Sequence, residues 1–153
     1  MTITILEDNI LNSNEEYILH NCNCVSKYSK GLAKIIFDKY KYSNTYLYRK
    51  ENSIPGTIDI MGNKNKNQRL VINLYGQYYP GKYNNSNDSY ENRLKWFKQG
   101  LDKVSKIENI KSIAIPYNIG SGLAEGNFED YLDIIKKLDE ELNINIVFYK
   151  LIN

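Results

Sequence analysis

Ile115-Pro116-Tyr117-Asn118-Ile119-Gly120-Ser121-Gly122-Leu123-Ala124-Glu125-Gly126-Asn127-Phe128 is the stretch on which the fold of this chain turns. An apolar run from Ser112 to Pro116 reads as a strand, and a glycine-rich segment follows it. Asn127 then opens a helix whose buried face is Phe128, Tyr131, Ile135, Leu138 and Leu142. Strand, glycine loop and helix in that order place unpaired helix amides beyond a strand end, where open α/β sheets take up anions. Gly120, Gly122 and Gly126 let a backbone approach phosphate oxygens that side chains would keep away; a plain tight turn is the alternative. Two other phosphate motifs are excluded. No Lys-Ser or Lys-Thr follows Gly126, as a P-loop requires, and Glu125 stands where the dinucleotide fingerprint has its third glycine.

The same order of elements occurs earlier, from His20 to Ala33. Tyr17 to Cys22 is a strand, a polar turn follows, and Ser29 begins a helix with Leu32, Ala33, Ile36, Phe37 and Tyr40 on one face. Ile3 to Leu6 is a further strand. Thr57 to Met61 and Leu70 to Tyr75 form a hairpin across the Gly- and Asn-rich segment Gly62 to Asn67. Gly76 to Asn87, with three tyrosines and no period, is a functional-loop candidate. Asp88 with Glu91 predicts a capped helix carrying Tyr90, Leu94, Phe97, Leu101 and Val104 inward, and Ile144 to Tyr149 is the last strand. Strands alternating with helices predict a three-layer α/β/α fold with a mixed central sheet, in one domain over residues 1–153.

Composition narrows the function classes. The 153 residues are 42% hydrophobic and 25% charged, as in ordinary globular domains, and the net charge of +2 is too even for a nucleic-acid-coating surface. No apolar run approaches the ~20 residues of a membrane span, and no signal core follows the N-terminus, so an intracellular, cytoplasmic protein is expected. Cys22 and Cys24 would share one face of a strand about 6–7 Å apart, too far for an unstrained disulfide. With a single histidine they cannot readily supply a zinc site, so neither metal nor cofactor is expected. Twenty-one Asn and twenty Ile beside fourteen Tyr suggest an A- and T-rich coding bias, as in viral or low-GC bacterial sources.

His20-Asn21-Cys22-Asn23-Cys24 with Ser29-Lys30-Gly31-Leu32-Ala33 lies ahead of the first helix as the glycine loop lies ahead of the last. Together with Val71 to Tyr78, Ser89-Tyr90-Glu91-Asn92 and Ile115 to Ala124, these segments resemble a macro domain over nearly the whole chain. The resemblance points to the branch of ADP-ribose-1''-phosphate phosphatase-like and terminal ADP-ribose glycohydrolase-like proteins. It implies binding of ADP-ribose or a derivative, with the diphosphate between the two loops. An ADP-ribosylated protein or nucleic acid would then be a possible partner.

Carried over residue by residue, the resemblance puts Asn23 at the distal ribose, Gly120, Ser121, Gly122 and Leu123 in the diphosphate loop, and Gly31 in the facing loop. Ser26 and Ser29 stand where relatives more often have glycine. Relatives meet the adenine amino group with an Asp after the first strand; here the matching residue by spacing is Asn9, with Asp8 beside it. Tyr149 matches the region where an aromatic stacks on adenine; a plain sheet tyrosine is the alternative. For chemistry, the phosphatase-like pattern Gly-Leu-Ala-Gly-Gly-Asp-Trp appears as Gly122-Leu123-Ala124-Glu125-Gly126-Asn127-Phe128. The acid is missing at Asn127, and Glu125 brings a carboxylate two residues earlier. The catalytic candidates are therefore Glu125, Asn127 and His20, the only imidazole, each with a structural alternative. Ala124 stands where glycohydrolase-like relatives have Asp, and their lysine has no clear counterpart, Lys82 being nearest, which disfavours a covalent lysine mechanism. A non-catalytic reader is the second reading. A nucleic-acid module using Tyr78, Tyr79, Lys82 and Tyr83 is the third.

Overall fold

The computed structural model describes residues 2–138 and 142–151. Six strands, β1 (Thr2–Leu6), β2 (Tyr17–Asn23), β3 (Ile58–Met61), β4 (Leu70–Gln77), β5 (Ser112–Pro116) and β6 (Asn145–Tyr149), form one sheet in the order β1-β6-β5-β2-β4-β3. All neighbouring pairs are parallel except β3 with β4, so the sheet is mixed as expected. The helices are α1 (Gly31–Lys39), α2 (Thr45–Tyr48), α3 (Tyr90–Ser105) and α4 (Phe128–Lys137).

The central strands are buried on both faces, so their alternation separates two apolar layers rather than core from water. Ile18, Cys22, Val71, Ala114 and Val147 pack with Ile36 and Phe37 of α1, whereas Leu19, Ile72, Leu74, Ile115 and Phe148 pack with α3 and α4. The result is a three-layer α/β/α sandwich. In α3 the expected face is confirmed at Phe97, Leu101 and Val104, all buried, each contributing about 1.5–3 kcal/mol of transfer free energy. Gly100 sits on that face because a Cβ there would meet the Leu74 side chain within 2.8 Å at three atoms.

Several expected boundaries move. Lys30, not Ser29, is the N-cap of α1, and it makes no side-chain cap bond. Gly76 and Gln77 belong to β4 rather than to the loop. Ser89, not Asp88, caps α3 by accepting the Asn92 N–H, since Asp88 turns inward to a buried arginine. Asn127 caps α4 as expected, through the Glu129 N–H at 3.0 Å. The continuation of that helix face toward Leu142 runs through 139–141, outside the described residues. The four-residue helix α2 and three short 3-10 turns, Ile10–Asn12, Lys41–Ser43 and Lys64–Lys66, have no counterpart in the sequence reading.

Candidate functional site

Because β1, β6, β5, β2 and β4 run parallel, their ends at Leu6, Tyr149, Pro116, Asn23 and Gln77 share one edge of the sheet. From β2 the chain goes through α1 toward β4, and from β5 it goes through α4 toward β6, on opposite faces. The segments 24–30 and 117–127 therefore part at a crevice between β2 and β5, the switch point where α/β sheets bind ligands. They meet across it: a Cβ on Gly31 would lie 2.9 Å from Leu123 Cδ1, and Gly31 has φ +59°.

The loop glycines have different reasons for being glycine. Gly120 has φ +78°, and its added Cβ would fall into the Tyr131 ring; a Cβ added at Gly126 would run into the Gly120 carbonyl and lie 3.0 Å from the Tyr90 ring. Gly122 has no positive φ and no neighbour within 4 Å of an added Cβ. Among the described residues, nothing in the fold itself calls for glycine there. Ser121 Oγ donates to the Asn118 carbonyl at 2.6 Å, and Leu123 is 64% exposed. Glu125 is exposed and held at φ +57°, a left-handed conformation unfavourable for residues with a Cβ.

Asn127 has a structural part to play. Its side-chain oxygen caps α4, and its N–H donates at 2.9 Å to the Tyr90 hydroxyl, which donates in turn to Asp130 at 2.8 Å. Its backbone N–H is thus the clasp joining α3 to the glycine loop. Burial, then the bond to Asp130, pushes the Tyr90 phenol up to about 12.

On the other wall, Asn23 is buried, and its Oδ1 closes the turn by accepting the Val25 and Ser26 N–H groups at 3.1 and 2.8 Å. The side-chain NH2 makes no hydrogen bond among the described residues. His20 belongs to the sheet rather than the crevice. It is 1% exposed, lies edge-on to Phe37 of α1, and donates from Nε2 to the Asn73 side-chain oxygen at 2.6 Å. A base shut away from solvent cannot reach a substrate, which corrects its place among the catalytic candidates. Desolvation by burial lowers its pKa to about 4, against partial relief from Asn73. Since folding depresses this pKa, the unfolded chain binds more protons between about pH 6.5 and 4. Stability should fall as pH drops through that window, and His20→Gln should flatten the fall in urea midpoints; an unchanged profile would exclude His20 as its cause.

Asn9 and Tyr149 lie at the same strand edge but are differently engaged from what the resemblance implies. Asn9 Oδ1 caps the turn at Ile10 by accepting the Leu11 N–H at 3.0 Å. Asp8 Oδ1 accepts from Asn9 N and Asn12 Nδ2, while its other oxygen has no partner among the described residues. Tyr149 is 7% exposed beside Ile10, and its hydroxyl donates to Glu15, so its ring has little face to offer a base. Cys22 and Cys24 are buried free thiols; burial pushes Cys24 up to about 12 and Cys22 higher still.

Sequence reasoning missed an ion pair. Asp88 and Arg93 are 0% and 1% exposed at their side chains and joined at 2.7 and 2.9 Å. Asp88 also accepts the Tyr78 and Tyr79 N–H groups, and Arg93 donates to the carbonyls of Tyr79 and Gly81. The pair thus fastens the start of the tyrosine-rich loop to α3. Burial favours the neutral acid, but the Arg93 and backbone bonds outweigh it and hold Asp88 below its ordinary value. Its signal was available, since Arg93 stands one turn before Phe97 on an otherwise apolar stripe. A groove of about 490 Å³ runs between α2 and the β3–β4 edge, lined by Thr45, Arg49, Asp59 and Tyr75 among others. None of the candidate residues lines it.

No protein-family model and no curated protein matches the sequence. Solved structures do. A protein of unknown function from Bacteroides thetaiotaomicron is 27% identical at TM-score 0.77, with 99% of each chain covered. The macrodomain of Mycobacterium tuberculosis DarG is 17% identical at TM-score 0.72, with 97% of each chain covered. A mutant of the Oceanobacillus iheyensis macrodomain with ADPR is 16% identical at TM-score 0.67, covering 97% of this chain and 84% of that one. The architecture is therefore that of the macrodomain fold.

Proposed function

We propose that residues 1–153 act as one macro domain that binds ADP-ribose or a derivative in the crevice between the two loops and hydrolyses ADP-ribose-1''-phosphate or an ADP-ribosyl ester in the cytoplasm. The observation that carries binding is Gly122, a glycine that the fold does not need, at the mouth of a crevice faced by Gly31 and Leu123. The sequence resemblance to the phosphatase-like branch and a neighbour of the same fold solved with ADPR support the ligand. In this reading the amides of Gly120, Gly122 and Leu123 receive the diphosphate, while Ser121, whose N–H and Oγ both donate to the Asn118 carbonyl, holds the turn; the Asn23 NH2 meets a distal-ribose hydroxyl, and adenine lies toward Asp8, whose free oxygen replaces the engaged Asn9 as acceptor. Glu125 orients or deprotonates the attacking water. An ADP-ribosylated protein or nucleic acid is the natural source of the substrate.

ADP-ribose titrated by calorimetry should bind with micromolar affinity. Gly122→Val should abolish that binding and leave the melting temperature nearly unchanged, because the new side chain enters open space at an ordinary φ. Normal binding by the folded variant would remove the diphosphate from this loop. Wild-type protein that binds ADP-ribose but releases no product from the 1''-phosphate or an ADP-ribosylated peptide or oligonucleotide would be a reader.

A further inference from the structure

We infer that Tyr46 and Arg49, neither of them in the crevice loops, are positioning residues that set the selectivity for the distal ribose by fixing Asn23; the inference rests on the reading of Asn23 above. The pairing of β2 with β4 slips by one residue between Cys22 and Asn23, since Cys22 faces Tyr75 while Asn23 faces Gln77. Such an irregularity re-aims a side chain and takes backbone groups out of the ladder. The groups freed at Asn23 are taken up from α2. Its N–H donates to the Tyr46 hydroxyl at 2.7 Å, and its carbonyl accepts from Arg49 Nη2 at 3.1 Å.

The two holders are themselves fixed. Tyr46 is 3% exposed, with its ring edge-on to Phe37 at 5.1 Å, and the Arg49 guanidinium lies over it at 4.7 Å. Arg49 Nε and Nη1 are buried without a hydrogen-bond partner among the described residues. The stacked guanidinium thus makes its one hydrogen bond among the described residues to the Asn23 carbonyl. With Oδ1 closing the turn, the NH2 is the one polar group of Asn23 left to meet a ligand. A four-residue helix on the far side of the strand thereby sets a donor in the crevice.

ADP lacks the distal ribose, so the ratio of ADP to ADP-ribose dissociation constants reports this donor and cancels general damage to the fold. In wild type ADP-ribose should bind the tighter, and Asn23→Ala should reduce the ratio on the order of tenfold. Tyr46→Phe and Arg49→Lys should each lower it severalfold with ADP affinity nearly unchanged, and neither should lower it further in the Asn23→Ala background. If Tyr46→Phe does not fold, Arg49→Lys, at a half-buried position, carries the comparison. Folded variants that keep the wild-type ratio, or lose ADP and ADP-ribose together, overturn the inference while leaving the ligand reading intact. Wild-type protein that binds ADP-ribose no better than ADP removes Asn23 from the distal ribose and the inference with it, and protein that binds neither overturns the ligand reading itself.

Discussion

Turnover of Glu125→Gln on an ADP-ribosyl substrate should fall about 10²–10⁴-fold, the usual loss for a general base, with ADP-ribose affinity close to wild type. The argument is conformational as much as chemical. Glu125 occupies φ +57°, where a residue with a Cβ costs about 1–2 kcal/mol, at the position where the phosphatase-like pattern has glycine. In the proposed reading this strain is kept for the carboxylate, since glycine would relieve it. Glu125→Gly should therefore raise the unfolding free energy by about 1 kcal/mol and abolish turnover, whereas Glu125→Gln should leave stability unchanged. Should Glu125→Gln turn over as fast as wild type, the water must be activated by the substrate's own phosphate. His20 is too deeply buried to take its place.

A second large effect is expected far from the crevice. Arg93→Ala should lower the unfolding free energy by about 3–5 kcal/mol in urea titrations, because it leaves Asp88 charged and unpaired in a dry interior. Asp88→Asn combined with Arg93→Met should recover much of the loss, since the unpaired charge rather than the missing attraction is the main penalty. A loss below about 1 kcal/mol for Arg93→Ala would mean that water reaches the carboxylate. The two carbonyls released at Tyr79 and Gly81 would loosen the tyrosine-rich loop at the same time.

What the sequence made legible follows from how local each signal is. Asn127, the glycine loop and the strand before it declare themselves within sixteen residues, and the structure keeps all three. Asp88 misled because Asp-x-x-Glu is a local cap signal, while the competing attraction of Arg93 becomes visible only when Arg93 is placed on a buried helix face. His20 shares its face with Ile18 and Cys22, so alternation alone indicated burial, and its partner Asn73 lies on another strand. Tyr46 and Arg49 were beyond reach: a helix of four residues has no period, and their bonds go to a backbone twenty-three and twenty-six residues away. The left-handed conformation at Glu125 was hidden for the opposite reason, since nothing about a glutamate announces a position suited to glycine.

The strand order also governs how the molecule is made. β6 lies between β1 and β5, so Thr2 finds its partner only in Asn145, at the other end of the chain. During synthesis at ~5–20 residues per second, the uncharged, β-prone Thr2–Leu6 segment waits about 7–30 s for that partner. Loop closure of this span must precede the contacts that reward it, so the sheet is completed late, growing from the β2-β4-β3 edge toward β1. Until then the nascent first strand is the segment most open to chaperone capture or to pairing with a neighbouring chain on the same polysome.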